Sequence, residues 1–268
     1  MPGEPWSLEP AEPDIDHAIS DTPYPWEIGD PPVLAADRAV HRWLLGHHVA
    51  FGLWRLLGDA LRVMSQGEIS TADEEIVAWL FDCYSETLVY SASCSAEVYA
   101  DRIRPAMAAV HPAFSGRWGR DYEAVRSLLE EIDLPAGGSL ARAVARNRRV
   151  HLLVARKLVP DGDSLFKDAG HRRDNITSDV ERDLFDRFFR VQRQATSRSW
   201  FLIQLDRRIS AIRYDIARYP LGTADDFAVP TPYLLSVSSG TRAMRDIASF
   251  CSTRAGQEQG SCRDRTGE

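Results

Sequence analysis

The stretch Val40–Met64, V-H-R-W-L-L-G-H-H-V-A-F-G-L-W-R-L-L-G-D-A-L-R-V-M, constrains the fold more than any other part of the chain. Val40, Trp43, Leu44, Phe51, Trp54 and Leu61 keep helical spacing, and Leu45, Val49, Leu53, Leu56, Ala60 and Val63 fill most of the opposite face. A helix that is apolar nearly all round must be buried all round, so it belongs at the centre of whatever the chain builds. Two adjacent histidines, His47 and His48, interrupt it. An unpaired buried imidazole costs a few kcal/mol, so each must be hydrogen-bonded, bound to a metal or turned to a polar cavity. Gly52 and Gly58 each cost about 1 kcal/mol against alanine in a helix interior, which points to something lying close against the backbone.

Length and charge narrow the class. With 268 residues, 44% of them hydrophobic, the chain can bury one sizeable core, and a single domain is expected. The formal charge of -7 disfavours a nucleic-acid partner, whose phosphates call for a basic patch. No apolar run approaches the roughly 18 residues of a membrane span. The stretch Met1–Asp30 is acidic and proline-rich where a signal peptide is basic and then apolar, which predicts a cytoplasmic protein. Cys83, Cys94, Cys251 and Cys262 form no C-x-x-C pattern and read as free thiols.

In chain order, residues 1–32 form a proline-rich tail, 33–252 a helical domain and 253–268 a polar tail. Helices are predicted from about Ala36 to Met64, Ala72 to Ser91, Ser95 to the turn beginning at Val110, Asp121 to Ile132 and Leu140 to Val159. A polar loop from Asp163 to Asp179 follows. Then comes a long helical region, Val180 to Tyr219, with an expected break near Thr196–Ser199. The last helix runs from about Thr241 to Phe250. No strand pattern and no internal repeat is visible, so the fold class is all-α.

In the fifth helix Val144, Arg148, His151, Ala155 and Leu158 share one face, so a second imidazole sits in an otherwise apolar stripe. There is no H-E-x-x-H, no Cys/His zinc spacing and no phosphate-cradling glycine loop. Two long helices thus offer histidine from apolar faces about a hundred residues apart. Such a pair suits a haem clamp, with one nitrogen on the iron and the other histidine over the open face. It equally suits two satisfied core histidines in a helical bundle.

The run His48-Val-Ala-Phe-Gly-Leu-Trp54, continuing into Arg55-Leu-Leu-Gly-Asp-Ala-Leu-Arg62, resembles the distal helix of tryptophan 2,3-dioxygenase, with its His-Gln-x-x-Glu-Leu-Trp segment. The spacing to Trp54 matches from His48 and not from His47. Arg148-Arg-Val-His151-Leu-Leu-Val-Ala-Arg156 resembles the same family's proximal helix. Between them, Tyr99-Ala-Asp-Arg-Ile-Arg104 and Ala113-Phe-Ser-Gly116 are similar to the segments beside its haem. Gly52 stands where the dioxygenase has glutamate, and its glycine-rich loop is missing, with Ser236-Val-Ser-Ser-Gly240 a distant echo. Among haem-dependent aromatic oxygenases the chain is most similar to the L-tyrosine hydroxylases of antibiotic biosynthesis, through Arg104-Pro and His111-Pro-Ala-Phe-Ser-Gly116.

The resemblance implies a single domain enclosing haem b between two long helices, and conversion of L-tyrosine to L-DOPA with hydrogen peroxide. His151 is implied as the axial ligand of the iron and His48 as the distal acid/base, which shuttles a proton between the two peroxide oxygens. Arg102 and Arg104 are implied to grip the substrate carboxylate, with Phe51 beside the ring. Ser115 and Trp54 are implied to contact the haem. His171 reads as solvated, and His41 and His111 as structural. The implied partners are a small aromatic amino acid and peroxide, and a homo-oligomer is compatible with the sequence. A tryptophan or indole dioxygenase is the nearest enzymatic alternative, and a haem-free helical binding protein the non-enzymatic one.

Overall fold

The computed structural model describes residues 29–67, 70–160, 162–170 and 176–221. The proline-rich tail to residue 28, His171, the 236–240 segment, the helix expected at 241–250, Cys251 and Cys262 lie outside them. Every regular element among the described residues is helical, and together they form one domain.

The apolar stretch folds into the longest helix, α1 (Ala35–Ser65). Leu57 and Leu61 are sealed from solvent, as are the opposite-face residues Val49, Leu53 and Leu56. Helix α2 (Thr71–Ser91) starts where Ser70 caps the backbone N–H of Asp73, and it returns antiparallel along α1, Trp54 meeting Tyr84 edge to face. Close approach is set by glycine: a Cβ on Gly46 would fall 2.0 Å from Ser91 Oγ, and one on Gly52 would meet Leu205 at 2.7 Å. Gly58 has nothing within 4 Å, so the expectation of a close neighbour is met at Gly52 and not at Gly58.

Helix α3 (Ala96–Val98) passes through a π-helical turn (Tyr99–Ile103) into α4 (Arg104–Val110). The extra residue of a π turn re-aims side chains, and such turns are frequent at functional sites. A 3-10 turn (Gly116–Trp118) leads into α5 (Arg120–Glu131), which packs on α1 through Tyr122 and Trp54.

Helix α6 (Ser139–Leu158) runs parallel to α2. The register is set by polar pairs along its length. Glu74 accepts from the backbone N–H of Leu140, Arg146 forks onto Asp82, Asn147 donates to Ser85 and Lys157 donates to the carbonyl of Ala92. Both α1 and α6 therefore lie on α2, yet they make few contacts with each other, which leaves a groove between them with α2 as its floor.

The loop read as irregular contains a short helix, α7 (Leu165–Asp168). Helix α8 (Asp179–Phe188) opens with a capping box between Ser178 and Glu181. The predicted break near Thr196–Ser199 begins earlier: the chain leaves the helix after Phe188 and re-enters one, α9 (Arg198–Arg218), at a Ser197 cap. The early exit is a Schellman turn, in which Val191 N–H donates to Asp186 O at 2.8 Å and Arg190 N–H to Arg187 O at 3.0 Å. Arg190 stands at φ 55, where glycine is usual, and an L residue there costs about 1 kcal/mol or more. Nothing in the composition of residues 189–197 marks a glycine stop, which is why periodicity overran it.

Candidate functional site

His47 and His48 are held by different parts of one residue, Phe189. The His47 ring stacks on the Phe189 ring with centroids 4.3 Å apart and planes at 17°, and its other neighbour is Trp43 at 4.5 Å. Its Nδ1 lies 2.6 Å from the carbonyl of Trp43 one turn earlier. His48 turns the other way and places Nε2 2.6 Å from the carbonyl oxygen of Phe189. That carbonyl is available because the Schellman turn ends α8 there. Burial lowers the pKa of both imidazoles to about 4, against the opposing pull of their backbone hydrogen bonds, so both are neutral at pH 7.

His151 lies near enough to His47 for its charge to depress the His47 pKa further. Its ring is open to solvent, yet surrounding protein desolvates it enough to lower its own pKa. It thus borders the space between α6 and α1, on the side that His47 faces. The α6 wall of that space is unusual for a solvent face: Leu152 is 60% exposed and Ala155 is exposed, flanked by the exposed arginines Arg148 and Arg156. Across the groove stand Trp43 and His47, with Tyr99 of the π turn edge-on to Trp43 at 5.6 Å. The indole N–H of Trp43 is buried with no acceptor among the described residues.

The remaining expected site residues divide. Arg104 is tied to Asp168 at 2.5 Å and to the carbonyl of Asp163 at 3.1 Å, while its charge lies beside Tyr99 and so near the cleft. Arg102 is exposed on the π turn. Phe51 and Trp54 are buried, in edge-to-face contact with each other at 5.2 Å, and Phe51 also meets Phe185 and Phe189. Phe51 is thus one ring removed from His47. Ser115 caps the 3-10 turn by accepting from Arg117 N–H. His111 accepts from Ala113 N–H and packs edge-on to Trp118, a structural role. His41 is lowered in pKa by burial, against the pull of Asp215. Phe189 and Trp43 hold the His47 ring between them, and Tyr99 abuts Trp43. Trp43 was legible as the residue one turn before His47, whereas Phe189 was hidden inside an expected continuous helix.

A cofactor can be tested against this arrangement. Among the described residues no three His, Cys, Asp or Glu side chains converge as a chelate, so a bare metal ion has no nest. A lone imidazole on an apolar wall instead suits a metal that brings its own equatorial ligands. Haem does so, and its flat apolar ring with two carboxylates matches the exposed Leu152 and Ala155 between Arg148 and Arg156. The residues fit that group.

Comparison with known proteins then adds a family. Residues 5–133 match the model of the SfmD 3-methyl-L-tyrosine peroxygenase family. The match covers a little under half of the chain and supports a peroxygenase-like family. It takes in α1 through α5, with His47, His48, Tyr99, Arg102, Arg104 and Ser115, and stops short of α6 and His151. No curated protein matches the chain. No described helix is long and apolar enough to cross a membrane.

Proposed function

We propose that this chain is a haem-dependent peroxygenase that hydroxylates the ring of a tyrosine-type amino acid. The observation that carries the reading is the groove between α1 and α6, where His151 stands on an exposed apolar wall opposite His47. The peroxygenase-family match supports it from the other side, since it covers the α1 half of the groove. Haem held there would supply the iron at which peroxide is used.

The roles of the chain's own residues follow from their chemistry. His151 would hold the iron through one ring nitrogen, and desolvation favours the neutral form that a ligand needs. Arg148 or Arg156, both exposed on the same wall, would supply a cation for the carboxylates of that group. The substrate enters over the π turn, where Arg102 grips its carboxylate bidentately, Arg104 being already tied to Asp168. One of the two α1 histidines serves as the acid/base. The ring position hydroxylated lies next to the phenol oxygen, which makes L-tyrosine a substrate and L-DOPA its product. The name of the matching family makes 3-methyl-L-tyrosine the other substrate to assay.

Two measurements test the reading. Purified protein should show a Soret band, and its ferric form with hydrogen peroxide should add one oxygen to L-tyrosine or to 3-methyl-L-tyrosine, read by mass spectrometry. Protein that takes up no haem, or reduced protein that turns L-tryptophan and oxygen into a kynurenine-type product without ring-hydroxylated tyrosine, would overturn it.

A further inference from the structure

We infer that the acid/base facing the cofactor is His47, and that His48, the histidine whose spacing to Trp54 fits the dioxygenase pattern, positions it. This rests on the proposed haem peroxygenase reading and names the residue that handles the proton there.

The assignment comes from which nitrogen each ring has left. A carbonyl can only accept, so the 2.6 Å approach of His47 Nδ1 to Trp43 O puts the proton on Nδ1 and leaves the lone pair on Nε2, at the ring's outer end. No described group bonds to that Nε2. The same logic applied to His48 gives the opposite tautomer. Its Nε2 donates to Phe189 O at 2.6 Å, so its lone pair sits on Nδ1, the nitrogen nearer its own backbone. For His48 to act as a base from its outer nitrogen, that bond must first break and the buried carbonyl must lose its donor.

Orientation agrees with protonation. The His47 ring is held between Trp43 and Phe189, which restrains it in the way an acid/base needs. It is the member of the pair that lies near His151 across the groove. The charged neighbours that influence His48 are instead Arg208 of α9 and Arg190 of the turn after α8, with His41 two turns earlier on α1 itself. His48 thus pins the end of α8, and through Phe189 it fixes the surface on which His47 stacks.

The proton balance of the reaction requires one such group. Arene plus hydrogen peroxide gives phenol plus water: a C–H and the O–O bond break, a C–O bond forms, and the carbon is oxidised as peroxide is reduced. His47 Nε2 accepts a proton from one peroxide oxygen and returns it to the other, which leaves as water with the O–O electron pair. No further oxidant or reductant is consumed.

The test compares haem-loaded full-length variants by haem content, rate of cyanide association and peroxide-driven turnover. Cyanide enters as HCN and must lose its proton at the site, so its association reports the acid/base without needing substrate. His47→Ala should keep stoichiometric haem while cyanide association and turnover both fall on the order of 10²-fold. His47→Gln keeps a polar side chain of similar length but cannot cycle a proton, and should show the same loss with native circular dichroism. His48→Ala should cost no more than about 5-fold in cyanide association and should act chiefly on thermal stability. A 10²-fold loss in His48→Ala with near-normal His47→Gln would overturn the assignment while leaving the haem reading intact. Wild-type protein without a Soret band would overturn both.

Discussion

Arg42 and His47 stand little more than one turn apart on α1 and use their polar atoms in opposite ways. Arg42 is sealed, and its whole fork is spent: Nε meets Asp215 at 2.6 Å, Nη2 donates to Asp215 and to the carbonyl of Tyr219, and Nη1 reaches Ser93. Asp215 also accepts from Tyr90 OH at 2.9 Å, so three helices, α1, α2 and α9, close on one satisfied carboxylate. Around His47, by contrast, an imidazole nitrogen, the Trp43 N–H and the wall bearing His151 are left open. A saturated buried network fixes helices in place, because removing any member strands its partner. An unsaturated cluster beside it, on the same helix, is costly unless a ligand completes it. The contrast separates framework from site more sharply than burial does, since residues of both kinds are largely enclosed.

The largest expected effect is on the open side. His151→Ala should lower haem affinity by at least about 100-fold in protein that keeps its helical circular dichroism, measured by the Soret-to-protein absorbance ratio after haem titration. Retention of a normal Soret band would remove His151 from the groove's function and with it the contrast. On the closed side Arg42→Met should cost about 3–5 kcal/mol in denaturant unfolding by leaving Asp215 buried and uncompensated. Asp215→Asn should cost less than Arg42→Met if Tyr90 and Arg42 can still bond to the amide. Equal and small effects from both would mean that the network is not what joins α9 to the core.

Acid sharpens the same comparison. The two α1 imidazoles titrate near 4 in the folded protein and at 6.5 when unfolded, so below 6.5 the unfolded chain binds more protons. Their contribution is therefore intact above pH 6.5 and is lost as pH falls toward 4, by up to about 3 kcal/mol for each. Unfolding midpoints of the haem-free protein should drop across that window, and His48→Ala should flatten the slope by about half. A midpoint independent of pH between 7 and 4 would show that neither ring is held neutral. The smallest effects come from glycine. Gly46→Ala should destabilise by about 1–3 kcal/mol, because Ser91 and Tyr90 occupy the space. Gly58→Ala should stabilise by about 1 kcal/mol, because nothing lies within 4 Å. If Gly46→Ala proved neutral, the spacing of α1 and α2 would not depend on it.

Local signals carried most of the fold. The 3.6-residue periodicity of α1, the serine cap of α2 and the Pro-Ala-Gly-Gly break before α6 place those helices within a residue or two of where they lie, because each signal acts within one turn. The all-α class followed from the same periodicities. Histidines in apolar stripes at His47, His48 and His151 singled out α1 and α6, since a buried imidazole needs a partner. Nothing local marked the end of α8, where an arginine occupies the left-handed position that glycine usually signals.

What tertiary structure alone decided is which polar atom meets which. Arg42 and Asp215 are 173 positions apart, and no pattern along the chain pairs them. His47 and His48 are neighbours of the same residue type in the same helix, yet they face different elements because successive helical side chains diverge by about 100°. Phe189, which reaches them from 141 positions beyond His48, takes one by its ring and the other by its carbonyl. Sequence determines that two imidazoles enter the core. Only the packing of α8 against α1 determines which of them keeps a free nitrogen, because a tautomer is set by the hydrogen bond the other nitrogen makes, and that partner comes from far along the chain.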